Sequence, residues 1–186
     1  YSWNGRTEGK GSMKIASESR IEHPLEQVYA AYRDELPRIV SHLPDIREIR
    51  VESSENTSNG IKLHNRWIAD REIPKMLKGI IKPEMLEWDD FAEWHDEAHY
   101  VAWTLRIPAF ETQVQCSGRN SFYADGSGTR VVLTGELRIR MEQVPGVPKF
   151  MAKKLAPRVE TFIVKLVTPN LKQVNESLGR YLDARD

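Results

Sequence analysis

The chain reads as an α+β domain in which a curved antiparallel sheet of seven strands closes on a long C-terminal helix, with two short helices between strands 1 and 2. Three observations predict this. From Pro148 to Leu182 apolar residues recur at helical spacing: Leu155, Val159, Phe162, Ile163, Leu166, Val167, Leu171, Val174, Leu178 and Leu182. A continuous helix there would be about 50 Å long. Between Ile46 and Met141 the apolar period is 2 rather than 3.6, and polar turns at Asn56 to Gly60, His95 to Glu97 and Asp125 to Gly128 interrupt it. Two proline-led helical stripes precede those strands.

Lys14 to Ile21 alternates and predicts the first strand, with Ile15 and Ile21 on one side. His23-Pro24 opens a helix, because proline at the first helical position loses no hydrogen bond; Leu25, Val28, Tyr29 and Tyr32 form its stripe. Pro37 starts a second short helix carrying Ile39, Val40 and Leu43, and Pro44 ends it. Ile46 to Ser54 predicts a strand, and Asn59-Gly60 offers the two positive-φ residues of a tight hairpin. On the returning strand Ile61, Leu63, Asn65 and Trp67 share a face.

After an irregular segment, Glu87 to Trp94 pairs with Tyr100 to Ile107, and Glu111 to Tyr123 with Arg130 to Met141. The last strand alternates cleanly, with Val131, Leu133, Leu137, Ile139 and Met141 inward and Arg130, Glu136, Arg138 and Arg140 outward. Pro157 and Pro169 fall inside the final helix, where proline removes a hydrogen bond. The expectation is a break at Pro157, leaving Phe150 to Ala156 as a separate basic foot and a rod of about 40 Å beyond it.

The 186 residues suit one domain, expected over 13–186 once the polar, Gly-rich stretch 1–12 before Met13 is set aside as a leader. With 27 basic and 27 acidic side chains, the formal net charge of +0 gives no global field to recruit nucleic acid. Cys116 is the single cysteine, so a reducing, cytoplasmic setting is expected. No apolar run approaches the ~20 residues that span a bilayer.

Signals for catalysis are sparse. His95 and His99 have the spacing of a helical zinc pair, but they fall at a hairpin turn and lack the glutamate after the first histidine. Asp89 and Asp90 point to opposite faces of a strand, and with Glu87, Glu93 and Asp96 they predict an exposed acidic face. Cys116 alternates with Val114 and Gly118 and reads as an inert buried thiol. Gly126-Ser127-Gly128 precedes a strand, so it is a turn rather than a phosphate loop. No catalytic set, metal or cofactor is predicted.

Binding is better signalled. The inward set includes Asn65, Trp67, Trp103, Cys116, Asn120, Phe122, Leu133 and Leu137, faced by Phe162 and Leu166 of the last helix. Such a set either packs with its asparagines satisfied internally or lines an apolar pocket with a few polar handles. Alternate connections of an up-and-down sheet fall at one end. There the sequence places Ile73, Met76, Leu77, Ile80, Ile81, Phe110, Val147 and Phe150 beside Lys75, Lys78, Lys82, Lys149, Lys153, Lys154 and Arg158. Apolar residues flanked by lysine predict a gate, either folded over a pocket mouth or in transient contact with an anionic membrane.

The order β, α, α, six strands and a long helix resembles the helix-grip fold of the START and Bet v 1-like (SRPBCC) superfamily, over Met13 to Leu182. The segment Ile73-Pro74-Lys75-Met76-Leu77-Lys78-Gly79-Ile80-Ile81-Lys82-Pro83, followed by a Trp-rich strand, is also similar to one in PRELI-type phospholipid transfer proteins. These resemblances imply a hydrophobic ligand, a (phospho)lipid above all, held between sheet and helix and carried between membranes. They also imply basic residues at the lipid phosphate, for which Arg33, Lys165, Asn170 and Lys172 are the candidates. Polyketide cyclases and aromatases of the superfamily imply an alternative with an acid/base group inside the cavity. A protein-binding co-chaperone module is a third.

Overall fold

The structure, a computed structural model, describes residues 12–140 and 147–185, leaving aside the Asn170 side chain. The order is β1 (Ser12–Ile21), α1 (Leu25–Asp34), α2 (Leu36–Ile39), β2 (Ile46–Thr57), β3 (Gly60–Ala69), β4 (Glu87–His95), β5 (Tyr100–Arg106), β6 (Val114–Asp125), β7 (Gly128–Ile139) and α3 (Lys149–Asp183). The strands form one antiparallel sheet in the order β1-β7-β6-β5-β4-β3-β2. Ser12, which the sequence places in a leader, is the first residue of β1 and lies opposite Arg138.

Strand alternation sets the core. Val131, Leu133, Leu137 and Ile139 of β7 are buried together with Val159, Ile163, Val167, Leu178 and Leu182 of α3. Tyr29 and Tyr32 of α1 pack edge-on against Phe122, with ring centroids 5.3 and 5.5 Å away. The C-terminal half of α3 is also fixed by polar contacts. Asn175 Nδ2 donates to Ser19 Oγ (2.7 Å), Ser177 Oγ to the His42 carbonyl (2.9 Å), and Arg185 Nη1 pairs with Glu35 (2.7 Å).

The structure corrects several expectations. Asn59 does not take a positive φ; among the described non-glycine residues only His99 does. Gly60 does take one, at 156°, and a Cβ there would also lie 2.1 Å from the Trp94 carbonyl oxygen across the β3–β4 pair. β6 begins at Val114, not Glu111, because Pro108–Phe110 form a 3₁₀ turn that buries Phe110. β7 starts two residues before the predicted Arg130 and ends at Ile139. Met141 lies outside the described residues.

The largest correction concerns α3, which runs unbroken through both prolines for 35 residues. Pro169 has no N–H for the Lys165 carbonyl four residues back. Arg71, from the connection after β3, donates a guanidinium hydrogen bond to that carbonyl instead. At Pro157 the carbonyl is shared with a side chain, since Thr161 Oγ1 donates to it at 2.8 Å.

Candidate functional site

Sheet and helix do not close completely on each other. Between them lies a cavity of about 600 Å³ of empty space, its open mouth included. The wall on the sheet side comes from alternate residues: Leu63, Asn65 and Trp67 of β3, Trp88, Asp90, Ala92 and Trp94 of β4, and Val101, Trp103 and Leu105 of β5, with Asn120 of β6. Tyr32, Arg33 and Leu36 close it from one side, and Val167, Leu171 and Val174 of α3 from above.

Four of the five tryptophans in the chain line this space. Trp67 and Trp88, register partners on β3 and β4, stack at 5.7 Å between centroids. Trp103 lies over two strand-interior glycines. A Cβ on Gly118 would come within 2.5 Å of its ring, and one on Gly135 within 3.0 Å. The missing side chains of β6 and β7 are therefore what lets a large ring lie flat against the sheet.

The polar groups fall into two sets. One is complete: Trp103 Nε1 donates to Asn120 Oδ1 (2.9 Å), and Asn120 Nδ2 donates to the Tyr32 hydroxyl (3.0 Å). The other is not. Asp90, 8% exposed, accepts from Asn65 Nδ2 at 3.3 Å, and no salt bridge to it forms among the described residues. Trp67 Nε1 favours the Asp90 anion without reaching hydrogen-bond geometry. Asn65 Oδ1, Trp67 Nε1 and Trp94 Nε1 are buried with no partner. Burial pushes the Asp90 carboxyl up to about 6, against the opposing pull of Asn65, Trp67 and the charge on His64. Burial and then the Asp90 charge raise the Tyr32 hydroxyl well above its ordinary value, and likewise lift the Cys116 thiol to about 12.

Asp89 and Asp90 do point to opposite faces, but neither is exposed, which overturns the acidic-face expectation. Asp89, 0% exposed, lies under a cationic cluster on the outer face of the sheet. His64 Nε2 is 2.7 Å away, Arg66 Nε 2.8 Å and Arg106 Nη2 3.0 Å. Burial alone would raise this carboxyl, but the hydrogen bonds from His64 and Arg106 and the charges of Arg66 and Arg106 hold it below the ordinary range. Sequence spacing gives the alternation of faces; it does not say that both faces are covered.

Of the residues expected to line a pocket, Asn65, Trp67, Trp103 and Asn120 do so. Cys116, Phe122, Leu133, Leu137, Phe162 and Leu166 are buried in the surrounding core instead. The Asn170 side chain lies outside the described residues; among the other headgroup candidates only Arg33 lines the cavity, and its guanidinium is held by Asp34 (2.8 Å) and Asp96 (2.9 Å). Lys165 is exposed on α3 and Lys172 is half-buried. Sequence reading missed Asp90, Trp88, Trp94 and Tyr32 as lining residues. The in-register pair Asn65 and Asp90, and the glycines opposite Trp103, are the signals that could have found the site.

The gate residues divide. Ile73, Leu77, Ile81 and Phe110 are core, and Ile80 and Val147 pack against it. The segment turns inward through the 3₁₀ turns Lys75–Leu77 and Pro83–Met85. Exposed apolar side chains remain at Met76 (55%), Phe150 (80%) and Met151 (45%), with Lys149, Lys153 and Lys154 also exposed. His95 stacks on Tyr100 at 4.3 Å and His99 Nε2 meets Glu26 at 3.0 Å. Among the described residues no group of three or more His, Cys, Asp or Glu side chains could hold a metal, and no helix is long and apolar enough to cross a membrane.

A seven-stranded antiparallel sheet gripping a long terminal helix around an internal cavity is the helix-grip architecture. Solved structures share it at low identity. TTHA0849 from Thermus thermophilus is 21% identical with a TM-score of 0.66, over 93% of this chain and 99% of that one. The Zhui aromatase/cyclase from Streptomyces sp. R1128 is 16% identical with a TM-score of 0.61, over 92% and 96%. Ara h 8.0201, a Bet v 1-like protein, is 11% identical with a TM-score of 0.53, over 94% and 99%. No curated protein matches the chain. A family model described as protein of unknown function DUF2505 matches residues 17–178, and the chain belongs to that family.

Proposed function

We propose that the protein binds a small, ring-containing hydrophobic molecule carrying polar groups, in the cavity between the sheet and α3. The observation that carries this reading is a pocket lined by four indoles in which Asn65 Oδ1, Trp67 Nε1 and Trp94 Nε1 have no hydrogen-bond partner among the described residues. Buried polar groups are ordinarily satisfied, so a ligand with matching donors and acceptors is their natural complement. The lining is that of a small-molecule site; a ligand as large as a diacyl phospholipid needs the pocket to open further. The exposed Phe150 and Met151 among lysines favour ligand uptake at an anionic membrane, and lipid transfer is the finer form of this reading. Native mass spectrometry of gently purified protein should give a defined mass increment of small-molecule size. A diacyl lipid increment would favour transfer. Bare protein that also fails to take up any apolar aromatic probe would overturn the reading.

A second reading is favoured by Asp90 itself. A carboxyl titrating near pH 6 beside a phenol, in a water-poor pocket, can exchange protons with a bound carbonyl compound. This is the chemistry an aromatase/cyclase-like enzyme would need. Under it, Asp90→Asn abolishes turnover of an enolisable poly-ketone while leaving its binding intact. Equal turnover in the variant counts against the enzyme.

A further inference from the structure

We propose that the cavity selects a ligand whose hydrophobic, ring-containing body carries a protonated amine, which Asp90 and Asn65 hold within a cage of indole rings. This rests on the binding reading above and names its ligand class. Asp90 is the anion of the cavity, and no described residue forms a salt bridge to it. Arg33 is the only cation among the lining residues, and Asp34 and Asp96 hold its guanidinium. His64 donates to Asp89, on the other face of the sheet.

Next to the carboxylate, the amide of Asn65 gives its N–H to Asp90 Oδ2, which leaves Oδ1 as a buried acceptor without a donor. Asn65 and Asp90 are register partners on β3 and β4, so the two acceptors are adjacent by construction. An ammonium group, with several N–H donors and no acceptor, satisfies both. Trp67, Trp88, Trp94 and Trp103 are among the remaining walls, and an indole attracts a cation through its π-system. A carboxylate or phosphate in the same place would instead meet Asp90 at short range in a low-dielectric site. The unpartnered N–H groups of Trp67 and Trp94 can serve an oxygen elsewhere on the ligand body.

Few titratable groups act near Asp90. Tyr32 and Arg33 of α1 line the cavity with it, Cys116 of β6 lies in the core behind, His64 of β3 acts from the opposite face of the sheet, and α3 contributes Val167, Leu171 and Val174, all apolar. Amine binding therefore follows ionisation of Asp90 and weakens as pH falls through about 6.

Calorimetric titration with naphthylethylamine, naphthylethanol and naphthylacetate, three ligands alike in body and different in charge, tests the proposal. At about pH 7.5 the amine should bind at least about tenfold more tightly than the alcohol, and the carboxylate more weakly than either. The amine's advantage should vanish at about pH 5, where the amine is still charged and Asp90 is not, and in Asp90→Asn at both pH values. The wild-type pH series does not depend on the variant folding. Equal binding of amine and alcohol, or tightest binding of the carboxylate, overturns the amine selectivity and leaves the cavity reading standing. Failure of all three to bind overturns both.

Discussion

Asp90 bears a cost that packing alone does not explain. Its folded-state value near 6 lies above the ordinary 3.8, so the native chain holds the proton more tightly than the unfolded one. Its contribution to stability is therefore complete below about pH 4 and is lost as pH rises through 6, on the order of 3 kcal/mol by the neutral range. Asp90→Asn should accordingly melt higher than the wild type at pH 8 and close to it at pH 4; thermal scans at the two pH values decide, and equal melting at pH 8 would contradict the assignment. Asp89 has the opposite sign. Its value is depressed, so its stabilisation is present above the ordinary carboxylate range and is lost as pH falls through the lower folded value. Asp89→Asn should destabilise the neutral protein by about 3 kcal/mol, because Arg66 and Arg106 lose their shared partner. Denaturant unfolding measures it.

Among the secondary-structure elements, α3 is tied to its surroundings where its own hydrogen-bond ladder fails. Pro169 frees the Lys165 carbonyl, and Arg71 takes it while lying 3.8 Å from Asp45. A double-mutant cycle isolates this link: Arg71→Ala should cost about 1 kcal/mol in the wild type and distinctly less in Pro169→Ala, where the backbone N–H returns. Equal costs in both backgrounds would mean that Arg71 acts through Asp45 alone. In the sheet, β6 and β7 yield side chains to β5. Gly118→Ala puts a Cβ 2.4 Å from the Thr134 carbonyl and 2.5 Å from the Trp103 ring. It should destabilise by about 1–3 kcal/mol and change the tryptophan fluorescence. Unaltered fluorescence with an unaltered melt would show that the ring is not seated there.

For the molecule as a unit, one end of the sheet separates into core and surface. Ile81, within the connection between β3 and β4, is buried, so a charge there should unfold the protein instead of opening a gate. Phe150 and Met151, on the outside of α3, are exposed, as is Met76. Replacing both by serine should leave the melting temperature unchanged, while Ile81→Asp should yield no cooperative transition; circular dichroism on the two variants separates the roles. Loss of stability on replacing Phe150 and Met151 would place them in the core.

The architecture was legible because period and punctuation are local. The switch from 3.6 to 2, the hairpin at Asp125–Gly128 and the apolar stripe from Val159 to Leu182 each follow from neighbours in the chain, and the structure has each where the spacing puts it. Part of the polar lining was legible for the same reason, since Asn65 and Asn120 fall on inward positions. Burial of both faces at Asp89 and Asp90 depends on side chains from α1, β3, β5 and α3, and no window of sequence contains them. Continuity of α3 through Pro169 depends on Arg71, 94 residues upstream of the carbonyl it reaches. Local spacing thus determined the sheet, the helix and which residues face inward, because those are properties of the backbone period. Only the tertiary arrangement decided that a carboxylate would stand among four indoles with no salt bridge from the described residues, because charge compensation and solvent exclusion are set by whatever packs across the gap.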